Sequence, residues 1–249
     1  MISHKYKCIA LHQRKAGGTS IKAIFDDVLP DSPEREYLNE GALDPDWSQT
    51  DPVIRGYFKF VVVRNPYDRF VSGWKYCNTT RNRPLIDCLR YLPEPNPLAN
   101  AFALAASWAA RKNGLRDYVL RQRSAITYWL KVRSGAKNLP KRPPNNFGHD
   151  YRHVTRQQWE IIYGQDGRPV VDQIFFLEDL LRDMTEFSRM TGVPCKAFPG
   201  QNVRRATDPY QSYFDRNSRS LFEKIFARDL ALFPYDFDTG ERHSKAPAD

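Results

Sequence analysis

Glycines, hydroxyl residues and two cations are concentrated in one segment that follows the first apolar run of the chain. The apolar residues Cys8 to Leu11 lead into His12 to Ser20, which reads HQRKAGGTS. Gly17 and Gly18 allow the backbone to turn tightly and approach an anion. The N–H groups and the positive dipole end of a following helix would then face that anion. The segment predicts a phosphate-binding loop, but Lys15 precedes the glycines, unlike the lysine of a nucleotide-kinase Walker A loop.

A second segment has the same form. The residues Phe58 to Val63 make a near-continuous apolar run, which is typical of a buried parallel strand. Arg64 follows the run, and Pro66 suits the first turn of a helix. Because ligands of open α/β sheets bind at the carboxyl ends of the strands, we expect Arg64 to face the ligand. Ser72 lies about two helical turns further on, so one anion could touch both side chains.

Together these two segments resemble the sulfotransferases that use 3′-phosphoadenosine 5′-phosphosulfate, in particular the carbohydrate sulfotransferases. In that family a strand ending in a Pro-Lys-x-Gly-Gly-Thr-Ser loop binds the 5′-phosphosulfate, and an Arg-x-Pro-x-x-Arg-x-x-Ser segment binds the 3′-phosphate. The first motif corresponds to Arg14 to Ser20, with Arg14 where the family usually has proline. The second corresponds to Arg64 to Ser72.

Three further stretches are similar to the same family. His153 to Gln157 resembles its His-x-x-x-Gln element, Asp172 to Leu180 resembles its next strand and Glu-x-Leu step, and Tyr213 to Phe237 resembles its C-terminal segment. The resemblance covers most of the chain and thins over residues 31–52 and 84–146. It implies transfer of a sulfuryl group to a hydroxyl of an acceptor, with adenosine 3′,5′-bisphosphate as the product nucleotide.

The resemblance also assigns roles to individual residues. It places donor binding on Arg14, Lys15, Ala16, Gly17, Gly18, Thr19, Ser20, Arg64 and Ser72. Lys15 is the candidate for stabilising charge on the leaving phosphate. His153 is the candidate general base, since imidazole accepts protons near neutral pH. His149 and the acidic residues between Asp26 and Asp51, including Glu34, Glu36 and Asp46, remain alternatives for the base. A catalytic metal is not expected.

Strands that alternate with helices predict an α/β fold. We expect a single domain over residues 1–249, built as a P-loop-like three-layer sandwich with a mostly parallel central sheet flanked by helices. The predicted strands are Lys7 to Leu11, Phe58 to Val63 and Gln173 to Phe176. The predicted helices are Thr19 to Val28, Tyr67 to Cys77, Ala99 to Lys112, Leu115 to Val132, Glu178 to Thr191 and Arg216 to Leu232, with Gly114 and Gly192 as helix stops.

Composition fits one enzyme domain. The chain has 249 residues and a net charge of +9, and no run reaches the ~20 apolar residues that span a bilayer. The N-terminal residues Met1 to Lys7 lack the apolar core of a signal peptide, so we expect a cytoplasmic protein. The four cysteines show no Cys-x-x-Cys spacing, which disfavours structural zinc and favours reduced thiols.

The positive charge is concentrated in one segment. Arg111 to Arg142 contains ten Lys and Arg residues against a single acidic residue, Asp117. This segment is either a solvated helix face or a surface that attracts an anionic acceptor such as an acidic glycan. No nucleic-acid-binding motif accompanies it, so nucleic acid is not expected as a partner. The alternatives to a sulfotransferase are a nucleotide or small-molecule kinase and a non-catalytic basic module that binds glycan or nucleic acid; the oligomeric state stays open.

Overall fold

The structure is a computed structural model that describes residues 1–29, 35–36, 52–76, 84–91, 153–164, 166–182, 184–195, 197–198 and 208–243. The helices predicted at Ala99 to Lys112 and Leu115 to Val132, the stop at Gly114 and the basic segment Arg111 to Arg142 lie outside these residues.

A five-stranded sheet forms the centre of the described fold. Its strands are β1 (Ile2–Ser3), β2 (Cys8–Leu11), β3 (Arg35–Glu36), β4 (Phe58–Val63) and β5 (Gln173–Phe176). Their order across the sheet is β3-β1-β2-β4-β5. The three longer strands β2, β4 and β5 are parallel neighbours, whereas the two-residue strands β1 and β3 extend one edge in antiparallel pairing. The predicted strands and the mostly parallel sheet are confirmed.

Helices follow the strands along the chain. They are α1 (Gly18–Val28), α2 (Pro66–Tyr76), α3 (Leu85–Tyr91), α4 (Trp159–Ile162), α5 (Leu177–Leu180), α6 (Thr185–Thr191), α7 (Arg216–Ile225) and α8 (Ala227–Leu232), with a 3₁₀ turn at Tyr210–Tyr213. The predicted stop at Gly192 is confirmed: its φ of 69° is left-handed, and its N–H bonds the Ser188 carbonyl. Within the part of the chain that the structure describes, no helix has the length and apolarity to cross a membrane.

Both faces of the sheet are covered. Alternate residues of a strand point to opposite faces, and in β4 the side chains of Phe60 and Val62 belong to one buried cluster while those of Val61 and Val63 belong to another. The first cluster includes Phe25 of α1, so that helix covers one face. The second includes apolar residues of α4 and of the chain after α8, which cover the other. This arrangement is the predicted three-layer sandwich.

The prediction that two of the helices are continuous is wrong. The helix predicted from Glu178 to Thr191 is divided into α5 and α6, because the backbone of Met184 leaves the helical region at φ −101° and ψ 1° and its side chain is buried in the core. The helix predicted from Arg216 to Leu232 is divided into α7 and α8 at Phe226. That ring is fully buried and packs on Phe70 with centroids 5.6 Å apart. In both places core packing overrides the helical pattern of the sequence.

The chain divides into two compact units. The first combines Met1–Ser72, Arg156–Tyr213 and Phe226–Asp249, and it holds the sheet. The second combines Gly73–Thr155 and Phe214–Ile225. In the second unit α3 packs against α7. The single-domain organisation stays a prediction.

Candidate anion-binding site

The loop between β2 and α1 has the conformation that an anion-binding loop requires. Gly17 is left-handed at φ 80° and precedes the first residue of α1. Its carbonyl accepts the N–H groups of Ser20 at 2.9 Å and Ile21 at 3.0 Å. The N–H groups of Gly18 and Thr19 precede the first N–H group that is hydrogen-bonded within the helix. No side-chain hydrogen bond caps α1 at Gly17. They therefore have the geometry of helix N-terminal anion donors.

Neighbouring side chains explain why this loop needs both glycines. A Cβ atom on Gly17 would lie 2.9 Å from Cδ1 of Leu177 and 3.0 Å from Cζ of Phe198. A Cβ atom on Gly18 would lie 2.2 Å from Cε1 of His12. These separations are far shorter than van der Waals contacts. The glycines therefore let the loop pack closely on its surroundings, in addition to the approach to an anion that the sequence suggests.

The side chains of the loop differ in exposure. Arg14, Ala16 and Ser20 are buried, with Arg14 only 4% exposed. Lys15 is half-buried and Thr19 is exposed. Lys15 has a positive φ of 65°, which is uncommon for a residue with a side chain. Lys15 and Thr19 are thus the loop side chains with access to a ligand. The Arg14 side chain, which is predicted to contact the sulfuryl donor, is buried.

Arg64 joins the two predicted motifs. It follows the last residue of β4, and its Nη1 donates to the main-chain oxygen of Lys15 at 3.3 Å. Its Nε donates to Oδ2 of Asp68 at 2.8 Å, and its Nη2 bonds the same oxygen. A guanidinium has five N–H donors in a planar fork, so two remain beyond these three bonds to residues that the structure describes. Lys15 and Arg64, which the sequence predicts at one ligand edge, are brought together.

Two residues that the sequence analysis did not single out hold the backbone after β4. The side-chain amide of Gln158 accepts the Arg64 N–H and donates to the Arg64 carbonyl, both at 2.9 Å. Glu178 accepts the N–H of Asn65 at 2.9 Å through Oε1 and the hydroxyl of Tyr235 at 2.8 Å through Oε2. Burial and the Glu178 charge raise the pKa of Tyr235 far above its usual value, so the phenol stays protonated. Glu178 belongs to the Glu-x-Leu step, which was the available sequence signal.

A buried charge cluster lies beside Gln158. Asp229 is fully buried and accepts backbone N–H groups from Gln158 and Trp159 at 2.9 Å. Arg69 is also fully buried, and its three side-chain nitrogens have no hydrogen-bond partner among the described residues. Burial lowers the pKa of Arg69 and raises the pKa of Asp229, while the attraction between the two charges acts against both shifts. Burial likewise raises the pKa of Glu160, which attracts Arg69.

The other predicted functional residues lie in different parts of the structure. Ser72 is half-buried on α2 in the first unit. His153 belongs to the second unit, where it is 8% exposed and its ring centroid lies 4.7 Å from that of Tyr76. A Cβ atom on Gly73 would lie 2.4 Å from the His153 carbonyl oxygen, so this glycine permits their close approach. The alternative bases His149, Glu34 and Asp46 lie outside the described residues, and only the backbone of Glu36 is described.

A small cavity lies behind the loop. It measures about 40 Å³ and is lined by loop residues such as His12 and Gln13 together with core residues of β2, α1 and β4. A volume of this size admits a few water molecules at most, so this cavity is far too small for a nucleotide. The predicted anion-binding surface is therefore the N-terminal end of α1 and not this cavity. Among the residues that the structure describes, no three His, Cys, Asp or Glu side chains are grouped as metal ligands would be.

These features define a class of protein. A glycine-containing loop at the end of one parallel strand, directly hydrogen-bonded to an arginine at the end of the next, is the arrangement of a P-loop-like α/β sandwich. A comparison with protein families agrees and goes further: the model of the sulfotransferase family matches residues 1–236. The chain belongs to the sulfotransferase family, which supports sulfuryl transfer as its general chemistry. Searches of curated proteins and of solved structures find no match.

Proposed function

We propose that this protein transfers the sulfuryl group of 3′-phosphoadenosine 5′-phosphosulfate to a hydroxyl group of a carbohydrate acceptor. The observation that carries the proposal is the hydrogen bond between Arg64 and Lys15, because it places the two phosphate-binding motifs of the resemblance side by side. Membership of the sulfotransferase family favours this reaction over phosphoryl transfer and over binding without catalysis.

The residues present fit such a donor. The donor carries negative charge at both its phosphosulfate and its 3′-phosphate, and the site offers two kinds of group that bind anions. One is the start of α1 together with Lys15, which lies in the loop that precedes this helix. The other is the Arg64 fork, which among the described residues uses three of its five N–H donors on Asp68 and Lys15. A planar fork is well suited to a phosphate, and the Ser72 hydroxyl adds a further donor in the proposed 3′-phosphate site.

The proposed division of labour follows from these groups. The donor supplies the sulfuryl group and leaves as adenosine 3′,5′-bisphosphate. The Lys15 ammonium and the N–H groups of Gly18 and Thr19 stabilise the charge that develops on the leaving phosphate oxygen. Arg64 and Ser72 bind the 3′-phosphate and fix the donor. His153 accepts the proton of the acceptor hydroxyl as the acceptor oxygen bonds to sulfur and the bond from sulfur to phosphate oxygen breaks.

The acceptor is proposed to be a glycan, and an anionic one if the segment Arg111 to Arg142 forms part of its binding surface. Ten cations in that segment would raise the local concentration of an acidic acceptor. In this proposal the protein binds the donor and the acceptor, and it does not bind nucleic acid.

A ligand panel tests the proposal. Adenosine 3′,5′-bisphosphate should stabilise the protein in the presence of a metal chelator, by about 2.7 kcal/mol at a hundredfold excess over its dissociation constant. AMP should give a smaller shift because it lacks the 3′-phosphate. Transfer of labelled sulfate to a panel of neutral and acidic oligosaccharides then identifies the acceptor. A clear shift with Mg-ATP and none with the bisphosphate would overturn the proposal in favour of a kinase.

A further inference from the structure

The position of Arg64 depends on a side chain rather than on a neighbouring strand. Gln158 is fully buried, and its carboxamide makes a pair of 2.9 Å hydrogen bonds with the N–H and the carbonyl of Arg64. One carboxamide thus satisfies both backbone groups of the residue, as a paired strand would. This pair of bonds fixes the peptide groups on each side of the Arg64 Cα atom, and so fixes the direction in which the guanidinium leaves the backbone.

Gln158 is itself held by a buried carboxylate. Both oxygens of Asp229 accept the Gln158 N–H at 2.9 Å, and Oδ1 also accepts the Trp159 N–H at 2.9 Å. Hydrogen bonds to an ionised acceptor are stronger than neutral ones. The donors come from the start of α4, so Asp229 anchors the backbone from which the Gln158 side chain reaches Arg64.

A fully buried cation accompanies this carboxylate. Arg69 lies one helical turn after Asn65, the residue that follows Arg64. The Asn65 carbonyl accepts the Arg69 N–H at 2.9 Å. The Arg69 guanidinium attracts Asp229 and Glu160. An isolated buried carboxylate would be costly, and a buried counter-charge reduces that cost. Attraction to Arg69 therefore opposes the rise in the pKa of Asp229 that burial causes.

We infer that Asp229 and Gln158 are positioning residues for the donor site: Asp229 holds Gln158, and Gln158 holds Arg64 in the orientation that recognises a phosphate. Neither residue contacts the ligand in this inference. The inference rests on the proposed function, because it assigns to Arg64 the recognition of the donor's 3′-phosphate.

The decisive quantity is the discrimination for the 3′-phosphate, defined as the dissociation constant of AMP divided by that of adenosine 3′,5′-bisphosphate. General loss of stability changes both affinities alike, whereas a misplaced Arg64 weakens binding of the bisphosphate more than binding of AMP, which has no 3′-phosphate. We expect Arg64→Ala to lower the ratio by about 10²-fold, and Gln158→Met and Asp229→Asn each to lower it by about tenfold, as for a weakened charge-assisted contact. Calorimetric titration of the purified full chain measures both constants.

Two controls separate positioning from folding. Thr191→Val at the end of α6 removes two other buried hydrogen bonds, which Oγ1 donates to the Phe187 carbonyl at 2.7 Å and accepts from the Val193 N–H at 3.2 Å. This variant should have a lower melting temperature and an unchanged ratio. In an Arg64→Ala background, Gln158→Met should lower the ratio no further, because the residue through which it acts is gone. An additive loss in the double variant would overturn the inference.

The outcomes are distinguishable. An unchanged ratio in Arg64→Ala would remove the 3′-phosphate role and with it the proposed function. A reduced ratio in Arg64→Ala with a wild-type ratio in Gln158→Met would leave the proposed function intact and overturn the inference. Should the variants fail to fold, hydrogen exchange of the wild-type protein decides: the amides of Arg64, Gln158 and Trp159 should exchange only with global unfolding, and rapid exchange at Arg64 or Gln158 contradicts the inference.

Discussion

Nη1 of Arg64 donates to the main-chain oxygen of Lys15 at 3.3 Å, so the two segments predicted to bind anions are joined by a direct hydrogen bond. Lys15 has a left-handed φ of 65°, which costs free energy in a residue with a Cβ atom. The bond to its carbonyl is one contact that holds this conformation. In the proposed reaction Arg64 binds the 3′-phosphate. Through this hydrogen bond it also holds the backbone of Lys15, whose ammonium contacts the leaving phosphate.

Arg64→Lys should therefore lower kcat as well as donor affinity. A lysine keeps the charge, but one ammonium cannot contact Asp68, the Lys15 carbonyl and a phosphate in the fork geometry of arginine. We expect losses of about tenfold in each quantity, equivalent to about 1.4 kcal/mol, measured by initial rates and by titration with adenosine 3′,5′-bisphosphate.

Arg219 provides a matched control for that change. It bonds Glu223 at the same i, i+4 spacing as Arg64 and Asp68, with Nε 2.9 Å from Oε1, on the surface of α7. Arg219→Lys should leave both kinetic quantities unchanged. A wild-type kcat in Arg64→Lys would show that the hydrogen bond to Lys15 has no part in turnover.

Lys15→Ala should reduce turnover much more than donor affinity. The charge that its ammonium is proposed to meet grows mainly in the transition state, and loss of such a group costs roughly 3 kcal/mol by analogy with an oxyanion-hole donor. Single-turnover rates and the dissociation constant of the bisphosphate separate the two effects. Lys22→Ala is the control, because Lys22 lies on the adjoining helix in an exposed ion pair with Asp26. Equal losses of rate and affinity in Lys15→Ala would make Lys15 a binding residue only.

The parts of the fold that could be predicted are encoded locally. The apolar runs that form β2 and β4 are buried on both faces and contiguous in sequence, so their pattern is visible without a structure. The start of α2 at Pro66 follows from the preference of proline for a first helical turn. The loop before α1 was identified by residue types that occur within a few positions of one another. In each case the evidence lies inside one short segment.

The residues that support the site could not be predicted in this way. Gln158 lies 94 residues from its partner Arg64, and Asp229 lies 71 residues from its partner Gln158. A buried glutamine and a buried aspartate look like surface residues in a sequence, and only the packed fold reveals that they accept or donate to backbone groups. The short strands β1 and β3 were missed for a similar reason, since two residues carry no detectable periodicity.

Gly18→Ala tests the packing of the loop. At an ordinary first helical residue, alanine would stabilise the protein by up to about 1 kcal/mol over glycine. Here its Cβ atom would lie 2.2 Å from the His12 ring, so we expect a lower melting temperature and weaker binding of the bisphosphate. His12→Ala removes the obstructing ring, and in that background Gly18→Ala should no longer destabilise the protein. A Gly18→Ala protein more stable than wild type would show that the ring moves aside without cost.

Tyr235→Phe should destabilise the protein by about 1.5 to 3 kcal/mol, since it removes a hydrogen bond to the charged Glu178. Because the pKa of Tyr235 is raised in the folded state, its contribution is fully present below the unfolded value near 10 and is lost as the pH rises above it. Urea unfolding of both proteins should give a constant difference between pH 6 and 9 that shrinks above about pH 10. Tyr213→Phe removes an exposed bond to Asp208 and should cost less. A difference that grows above pH 10 would contradict the direction of the shift.

His153→Ala tests the proposed base. Removal of a general base lowers turnover by about 10²-fold or more, while binding of the bisphosphate should remain nearly intact because His153 has no proposed contact with it. The acidic limb of the wild-type pH–rate profile should follow a histidine titration and disappear in the variant. Gly73→Ala offers a second probe, because its Cβ atom would lie 2.4 Å from the His153 carbonyl oxygen and displace that residue while leaving the imidazole present. It should lower turnover without abolishing the acidic limb. Near-normal turnover with an unchanged profile in His153→Ala would transfer the role of base to His149 or to a carboxylate between Asp26 and Asp51.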